Sequence, residues 1–435
     1  MAASSRGHAK RLGWGMASID QSAGPPVGAS PPAGESDARS QTEPARLKVI
    51  ARCWIVIASI VYAVDLLRQT KDGLSDGVSR PFGDDFVNYW SGAFLALHAR
   101  AREIYDFHAF HVFEQSVTGP NIGAYHYSYP PVLLLLTLPL ALLPYVPALG
   151  VWLVATWYGF YRALRLASGE GALLLSLATP ALFVNAIGGQ NGALTAALLG
   201  GGLLLLDRRP LVAGILFGCL AYKPHLALML PFALIAGRRW RAVGAAAATL
   251  VLLLAASAVL FGTQCWLDYT RNLAQLRVVI LEDGTGVWHR MLSVFVFARR
   301  LGADIGTAYA LQGVFATLAA FFVARSWWRD EAPHLRNALV IVGTCLATPY
   351  LQDYDLVMSA FVVMWLNCEE DRSHVAATWI RTAMAIMLLL PLAAAPLGKL
   401  TGLALGPLFT VPVFALLIVL AEVPSSRHVS PAIRP

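Results

Sequence analysis

From Leu47 onward the chain reads as one apolar run after another, separated by short polar breaks. The runs are 47–67, 131–165, 171–187, 191–206, 210–222, 224–237, 240–261, 304–324, 335–348, 352–367, 375–396 and 400–421. A helix that crosses a bilayer needs about 20 apolar residues, with a range of roughly 17–25. Several runs are shorter and predict tilted pairs or re-entrant hairpins. The run 131–165 is too long for one crossing and is interrupted by Pro144 and Pro147. The pattern predicts an all-α polytopic membrane protein with about twelve transmembrane helices. The one long interval between runs is 68–130, a first external loop. Within it Phe86, Tyr89, Trp90, Ala93, Phe94 and Leu97 recur on one helical face, which predicts an amphipathic helix lying at the interface.

The ends are a different material. Residues 1–45 are rich in Pro, Gly, Ser and Ala, with no apolar period, and read as a disordered cytoplasmic tail. No apolar core follows the early basic residues, so this is not a signal peptide. Residues 424–435 read as a second cytoplasmic tail, which leaves 46–423 as the membrane domain.

Composition supports the membrane reading. Hydrophobic residues make up 57% of the 435 and charged residues 14%. Soluble domains run roughly 45–50% apolar and about 25% charged, so a water-facing surface cannot be clothed here. The net charge of +7 orients the chain in the bilayer and does not mark a nucleic-acid partner. The five cysteines show no CxxC or metal-ligand spacing, which argues against a disulfide framework or zinc site.

Basic residues set the orientation. They cluster at Arg162/Arg165, Arg208/Arg209, Arg238/Arg239/Arg241, Arg325/Arg329/Arg336 and Arg372, with Lys48 and Arg52 flanking the first span. If 131–165 makes an odd number of net crossings, all of them fall on the cytoplasmic side. The same parity sends 68–130, the GGQN turn at 188–191, Tyr222–His225, 262–290 and Thr348–Asp355 to the opposite face. Polar residues at span ends need a partner or a job, and these converge on one face.

Each candidate has a structural reading beside a functional one. Asp84 and Asp85 follow Gly83 and can cap the next helix, or one can cap while the other faces a substrate. The pair could also hold a divalent metal, although no carboxylate/His spacing demands one; no other cofactor is called for. His126, in AYHYSYPP, is a ligand or an interfacial residue. Gln190 and Asn191 suit sugar hydroxyls, and Asn191 can also cap a helix. Lys223 and His225 flank Pro224 at a helix break, where a lysine snorkels or meets an anion such as phosphate. His289 and Arg290 can add to a phosphate site. Asp353 and Asp355 favour a helix N-terminus electrostatically. A carboxylate at this face can act as general base on a hydroxyl, with cations to stabilise a phosphate leaving group and amides to position a sugar. There is no Walker A, GxGxxG or HExxH motif and no βα alternation, which excludes a Rossmann-type nucleotide-sugar enzyme. The alternatives are a transporter or flippase of a lipid-linked sugar, for which no inverted repeat is found, and an inactive membrane scaffold.

Six blocks in order carry a resemblance. They are D-F-x-x-Y at Asp85–Tyr89, YD at 105–106, YPP at 129–131, GQN at 189–191, KP at 223–224 and TPYLQDYDL at 348–356. In these the chain resembles glycosyltransferase family 87, membrane enzymes of GT-C type that use polyprenyl-phosphate sugars. The resemblance implies a GT-C fold with its active site on the extracytoplasmic face of a bacterial-type plasma membrane. It implies inverting transfer of a hexose, with mannose the guess from the understood members, to a lipid or glycan acceptor. The base falls on Asp85, with Asp84 as the alternative, and Tyr89 joins the sugar and acceptor contacts with His126, Gln190, Asn191, Asp353 and Asp355.

Overall fold

The computed structural model describes residues 33–284, 286–369 and 373–422. Of the tail expected over 1–45, residues 1–32 lie outside the described residues, as does the second tail over 424–435, while 33–45 are helical and form the start of α1, contrary to the expected disorder. Two compact units are distinguished, residues 1–49 and 50–435; the second holds the bundle.

The elements are helices: α1 (Ala33–Arg68), α2 (Phe86–Leu97), α3 (Phe107–Thr118), α4 (Val132–Thr137), α5 (Tyr145–Ser168), α6 (Ala172–Ala178), α7 (Pro180–Ile187), α8 (Gly192–Leu205), α9 (Pro210–Cys219), α10 (Leu230–Ala236), α11 (Trp240–Phe261), α12 (Thr263–Leu276), α13 (Val294–Arg300), α14 (Ile305–Trp328), α15 (Pro333–Ala347), α16 (Ser359–Asn367), α17 (His374–Thr401) and α18 (Gly406–Glu422). Short 3₁₀ turns join several of them, and no strand occurs among the described residues.

Every apolar run predicted from the sequence carries helix, with breaks that include 143–144, 179 and 402–405, but the count of single crossings differs. Among the described residues four helices are long and apolar enough to span alone: Arg46–Arg68, Trp240–Phe261, Ile305–Trp328 and Val375–Thr401. A fifth span arises if Tyr145–Ala178 and Pro180–Ile187, bent by 48°, are taken together. The remaining apolar helices are 10–17 residues long, or about 15–26 Å at 1.5 Å per residue, less than the roughly 30 Å of hydrocarbon. Proline explains several breaks. Pro144, Pro180, Pro210 and Pro224 stand at or just before helix starts, where a missing N–H costs nothing.

The centre of the bundle is α8 and α15. Every residue of α15 from Leu335 to Ala347 is buried, as expected of a helix apolar on all sides. By contrast, almost none of α11 is buried within the chain, so its apolar surface faces lipid. Helices α9 and α11 pack backbone to backbone: a Cβ at Gly214 would strike Ala242 O, and one at Gly218 the side chain of Thr249. Small residues permit this approach where dispersion is the main attraction between helices.

The two ends of the central helices differ in chemistry. At one end Asp207 takes Arg239 (2.7 Å) and Arg336 (2.8 Å), Arg336 also holds Asp330, and Arg325 pairs with Glu422 (2.6 Å). At the other end of α8, about 20 Å away along 14 residues, stands Asn191. Helix α15 likewise runs from Arg336 to the Thr348–Asp355 segment. Arg239 and Arg336 therefore stand at the opposite end of α8 and α15 from Asn191 and the Thr348–Asp355 segment; Arg372 lies outside the described residues.

Candidate active site

The site is assembled at the tips of four breaks: the turn before α2, the α7–α8 turn, the α9–α10 break and the segment after α15. The α7–α8 turn is forced by backbone chemistry. Gly189 has φ +56°, and a Cβ there would collide with Gly83 O and Phe86. Only glycine suits a left-handed residue in so close a contact. The consequence is that Gln190 and Asn191 lie directly against the turn that carries Asp85.

Asp85 sits at the N-terminus of α2, yet its side chain makes no capping bond. Its Oδ2 accepts instead from Gln190 Nε2. Gln190 Oε1 takes the Tyr89 hydroxyl (3.1 Å), which also accepts from Asn191 Nδ2 (3.0 Å) and meets the Tyr129 hydroxyl (3.1 Å). Asn191 Oδ1 accepts from Lys223 Nζ (3.0 Å), and Lys223 pairs with Asp355 Oδ1 at 2.5 Å. One continuous network thus runs from Asp85 through Gln190, Tyr89 and Asn191 to the Lys223–Asp355 pair. Tyr89 is its hub, four residues after Asp85 and so on the same face of the helix.

Arg290 stands beside this network. Its guanidinium grips Asp353 through three contacts of 3.0–3.2 Å. Lys223 Nζ and the Arg290 guanidinium both lie over the Tyr354 ring, at 4.5 and 5.7 Å. Asp353 Oδ1 also accepts the Tyr354 N–H (2.8 Å), and Asp355 Oδ2 accepts the Gln352 N–H (3.1 Å). The helix-terminal role expected for these aspartates is real, and it is combined with a cation partner for each. Lys223 and Asp355 are enclosed, whereas the Arg290 side chain is 26% exposed. Arg290 is the cation a ligand can reach.

The carboxyl of Asp85 is half-buried. Burial pushes its pKa up to about 7; Arg290 pulls it down, Asp84 and Asp353 push it up, and Lys223 pulls it down. A carboxylate so placed can take a proton near neutral pH. Asp84 is differently committed: Arg80 and the Tyr125 hydroxyl (3.1 Å) occupy it. The adjacent aspartates therefore serve different partners and form no shared chelate, and neither caps α2.

Three histidines stay outside the network. The His126 ring packs edge-on against Phe107 (4.3 Å). The His225 ring lies near Tyr350 (5.9 Å), with its Nε2 buried and unpartnered. His289 shares the short turn Trp288–Arg290 with Arg290, and its backbone packs close to Gly398. Tyr129 and Tyr354 belong to the site although the motifs that contain them did not single them out, and Arg80, outside every motif, joins it through Asp84. So does Glu114 on α3, wholly buried, whose pKa burial and then the charge of Asp85 raise to about 9. A recess of about 460 Å³ between Arg100, His108 and Phe113 is lined by none of these network residues.

No curated protein and no solved structure matches the chain. The sequence profile of glycosyltransferase family 87 matches residues 127–349, just over half of the 435. That stretch contains Tyr129, Gln190, Asn191, Lys223 and Arg290, while Asp85 precedes it and Asp353 follows it. Apolar helices, a polar network at one end and this match agree: the chain belongs to glycosyltransferase family 87 and is a membrane glycosyltransferase.

Proposed function

We propose that the enzyme transfers a hexose, mannose first among the candidates, from a polyprenyl-phosphate donor to a lipid or glycan acceptor. Transfer proceeds with inversion at the extracytoplasmic face of a bacterial-type plasma membrane. The fold is of GT-C type, and about twelve crossings result when the short apolar helices count as spans, singly or as broken pairs. The partners are the donor, the acceptor and membrane lipid; no nucleic acid is involved.

In this reading Asp85 accepts the proton of the acceptor hydroxyl as its oxygen attacks the anomeric carbon. The bond from that carbon to the phosphate oxygen breaks on the opposite face, and polyprenyl phosphate leaves with the electron pair. Arg290 meets the phosphate, exchanging Asp353 for it, and a guanidinium suits such bidentate recognition. Lys223 acts from behind, fixing Asn191 and Tyr354, with His225 and His289 at the edge of the phosphate region. Gln190, Asn191, Tyr89 and Asp353 hold sugar or acceptor hydroxyls, Asp355 anchors Lys223, and His126 lines the acceptor side.

The observation that carries this reading is the contact of Asp85 with Gln190, which joins the base motif to the amide motif 105 residues away and, through Tyr89 and Asn191, to Lys223. The test is incubation of the purified protein with a panel of polyprenyl-phosphate sugars, scored for transfer or sugar release. Turnover with none of them would overturn it. The orientation is tested separately by impermeant thiol labelling: Asn121→Cys, at an exposed loop position, is expected to react from outside and a cysteine at Arg208 from the cytoplasm.

A further inference from the structure

The turn that delivers Asp85 has an uncommon backbone. Gly83 and Asp84 both lie in the left-handed region, at φ +80° and +47°. Glycine adopts this freely, but an aspartate there persists only when its surroundings hold it. The holding groups come from the end of α1 and the loop after it. Gln69, wholly buried, accepts the Gly83 N–H on Oε1 (2.7 Å) and donates to Asp65 Oδ2 (2.9 Å). Arg80 donates to both oxygens of Asp65 (2.9 and 3.0 Å). The same guanidinium donates from Nε to Asp84 Oδ1 (3.1 Å) and from Nη2 to Asp84 Oδ2. Two carboxylates are thus clamped by one planar fork, an arrangement a point charge cannot reproduce. The turn is seated directly on Gly189, so any shift of it moves Asp85 relative to Gln190.

We propose that Arg80 is a positioning residue for sugar transfer: by bridging Asp65 at the end of α1 to the strained Asp84, it fixes the turn that aims Asp85 and neutralises the charge beside it. This rests on Asp85 being the base. The charged and titratable groups acting on Asp85 include Asp84, Arg290, Asp353 and Lys223, with Glu114 behind α2 and the Tyr89, Tyr125, Tyr145 and Tyr354 hydroxyls around it. Removing Arg80 leaves Asp84 as an uncompensated anion next to Asp85 and favours protonated Asp85. Removing the charge of Asp84 does the reverse. Loss of packing alone does not move one carboxyl in opposite directions in two variants.

The experiment uses the full chain in nanodiscs. Labelling of Asp85 by a water-soluble carbodiimide, to which the carboxyl oxygen adds as its proton passes to the carbodiimide nitrogen, is followed against pH by mass spectrometry and needs no substrate. The midpoint is expected to rise in Arg80→Gln and to fall in Asp84→Asn. With polyprenyl-phosphate mannose, release of polyprenyl phosphate by Arg80→Gln is expected to drop roughly 10- to 100-fold in kcat, the scale of a displaced catalytic group, with KM little changed. Arg80→Lys, which keeps the charge but not the fork, is expected to share the loss in kcat and serves if the glutamine variant does not fold. Adding Asp84→Gly to Arg80→Gln, which removes both the strain and the unpaired charge, is expected to restore much of the rate. Unchanged midpoints in Arg80→Gln and Asp84→Asn, or a rate loss that Asp84→Gly does not relieve, would overturn the proposal while leaving Asp85 as base. An active Asp85→Asn would remove the base itself, and the proposal with it.

Discussion

Replacing Asp85 by asparagine separates the demands of catalysis from those of folding. The carboxamide keeps the shape and can still meet Gln190, but it cannot accept a proton. With a pKa of about 7, about half of the wild-type enzyme carries an ionised base at pH 7. That fraction is about a tenth at pH 6 and about nine tenths at pH 8, so kcat/KM is expected to climb about tenfold between them. Asp85→Asn is expected to be flat over this window and lower by roughly 10²–10⁴-fold at pH 8, the contribution of a positioned general base. Stability should move the other way. Because the folded-state pKa is raised from 3.8, the folded wild type holds its proton between pH 3.8 and about 7 more tightly than the unfolded chain. Its stability therefore falls as pH rises through that window, by at most about 4 kcal/mol and on the order of 1–2 kcal/mol once solvent at the half-buried carboxyl is allowed for. Asparagine does not titrate, so the variant should melt above wild type at pH 8 and level with it near pH 4. The assay is paired: pH-dependent transfer from a polyprenyl-phosphate sugar, and unfolding followed by tryptophan fluorescence in detergent. A variant that retains a rising pH–rate limb near 7 would refute the reasoning, because another group would then be losing the proton.

Lys223→Ala strands Asp355 as a buried, uncompensated carboxylate and is expected to cost about 3–5 kcal/mol; the double variant Lys223→Met/Asp355→Leu should recover much of that in thermal unfolding while remaining inactive. Arg290→Lys keeps a charge but loses the fork on Asp353, and its KM for the donor is expected to rise more than its kcat falls. Gly189→Ala forces a Cβ into Gly83 O and Phe86 and should lose activity together with several kcal/mol of stability, measured as a lowered melting temperature.

The sequence by itself determined the class of the molecule. Hydropathy is a one-dimensional signal because a bilayer imposes the same demand on every crossing, so the helices appear where the apolar runs stand. The breaks at Pro144 and Pro224 were legible for the same local reason, since proline removes a backbone donor wherever it occurs, whereas Pro147 falls in the first turn of α5 and Pro180 splits the run 171–187 that read as continuous. Placement of Gln190, Asn191, Lys223 and the Asp353–Asp355 segment at one end followed from counting crossings against basic clusters. Only the tertiary structure decided who pairs with whom. Lys223 and Asp355 are 132 residues apart, and Arg290 and Asp353 are 63 apart; no local period encodes such partners. Sequence reasoning offered both cations to a phosphate, whereas the fold gives each a carboxylate and leaves Arg290 the accessible one. It also offered both aspartates of the Asp84–Asp85 pair as caps or bases. Three-dimensional packing assigns Asp84 to Arg80 and turns Asp85 toward Gln190, because a left-handed turn seated on Gly189 points two consecutive side chains in different directions.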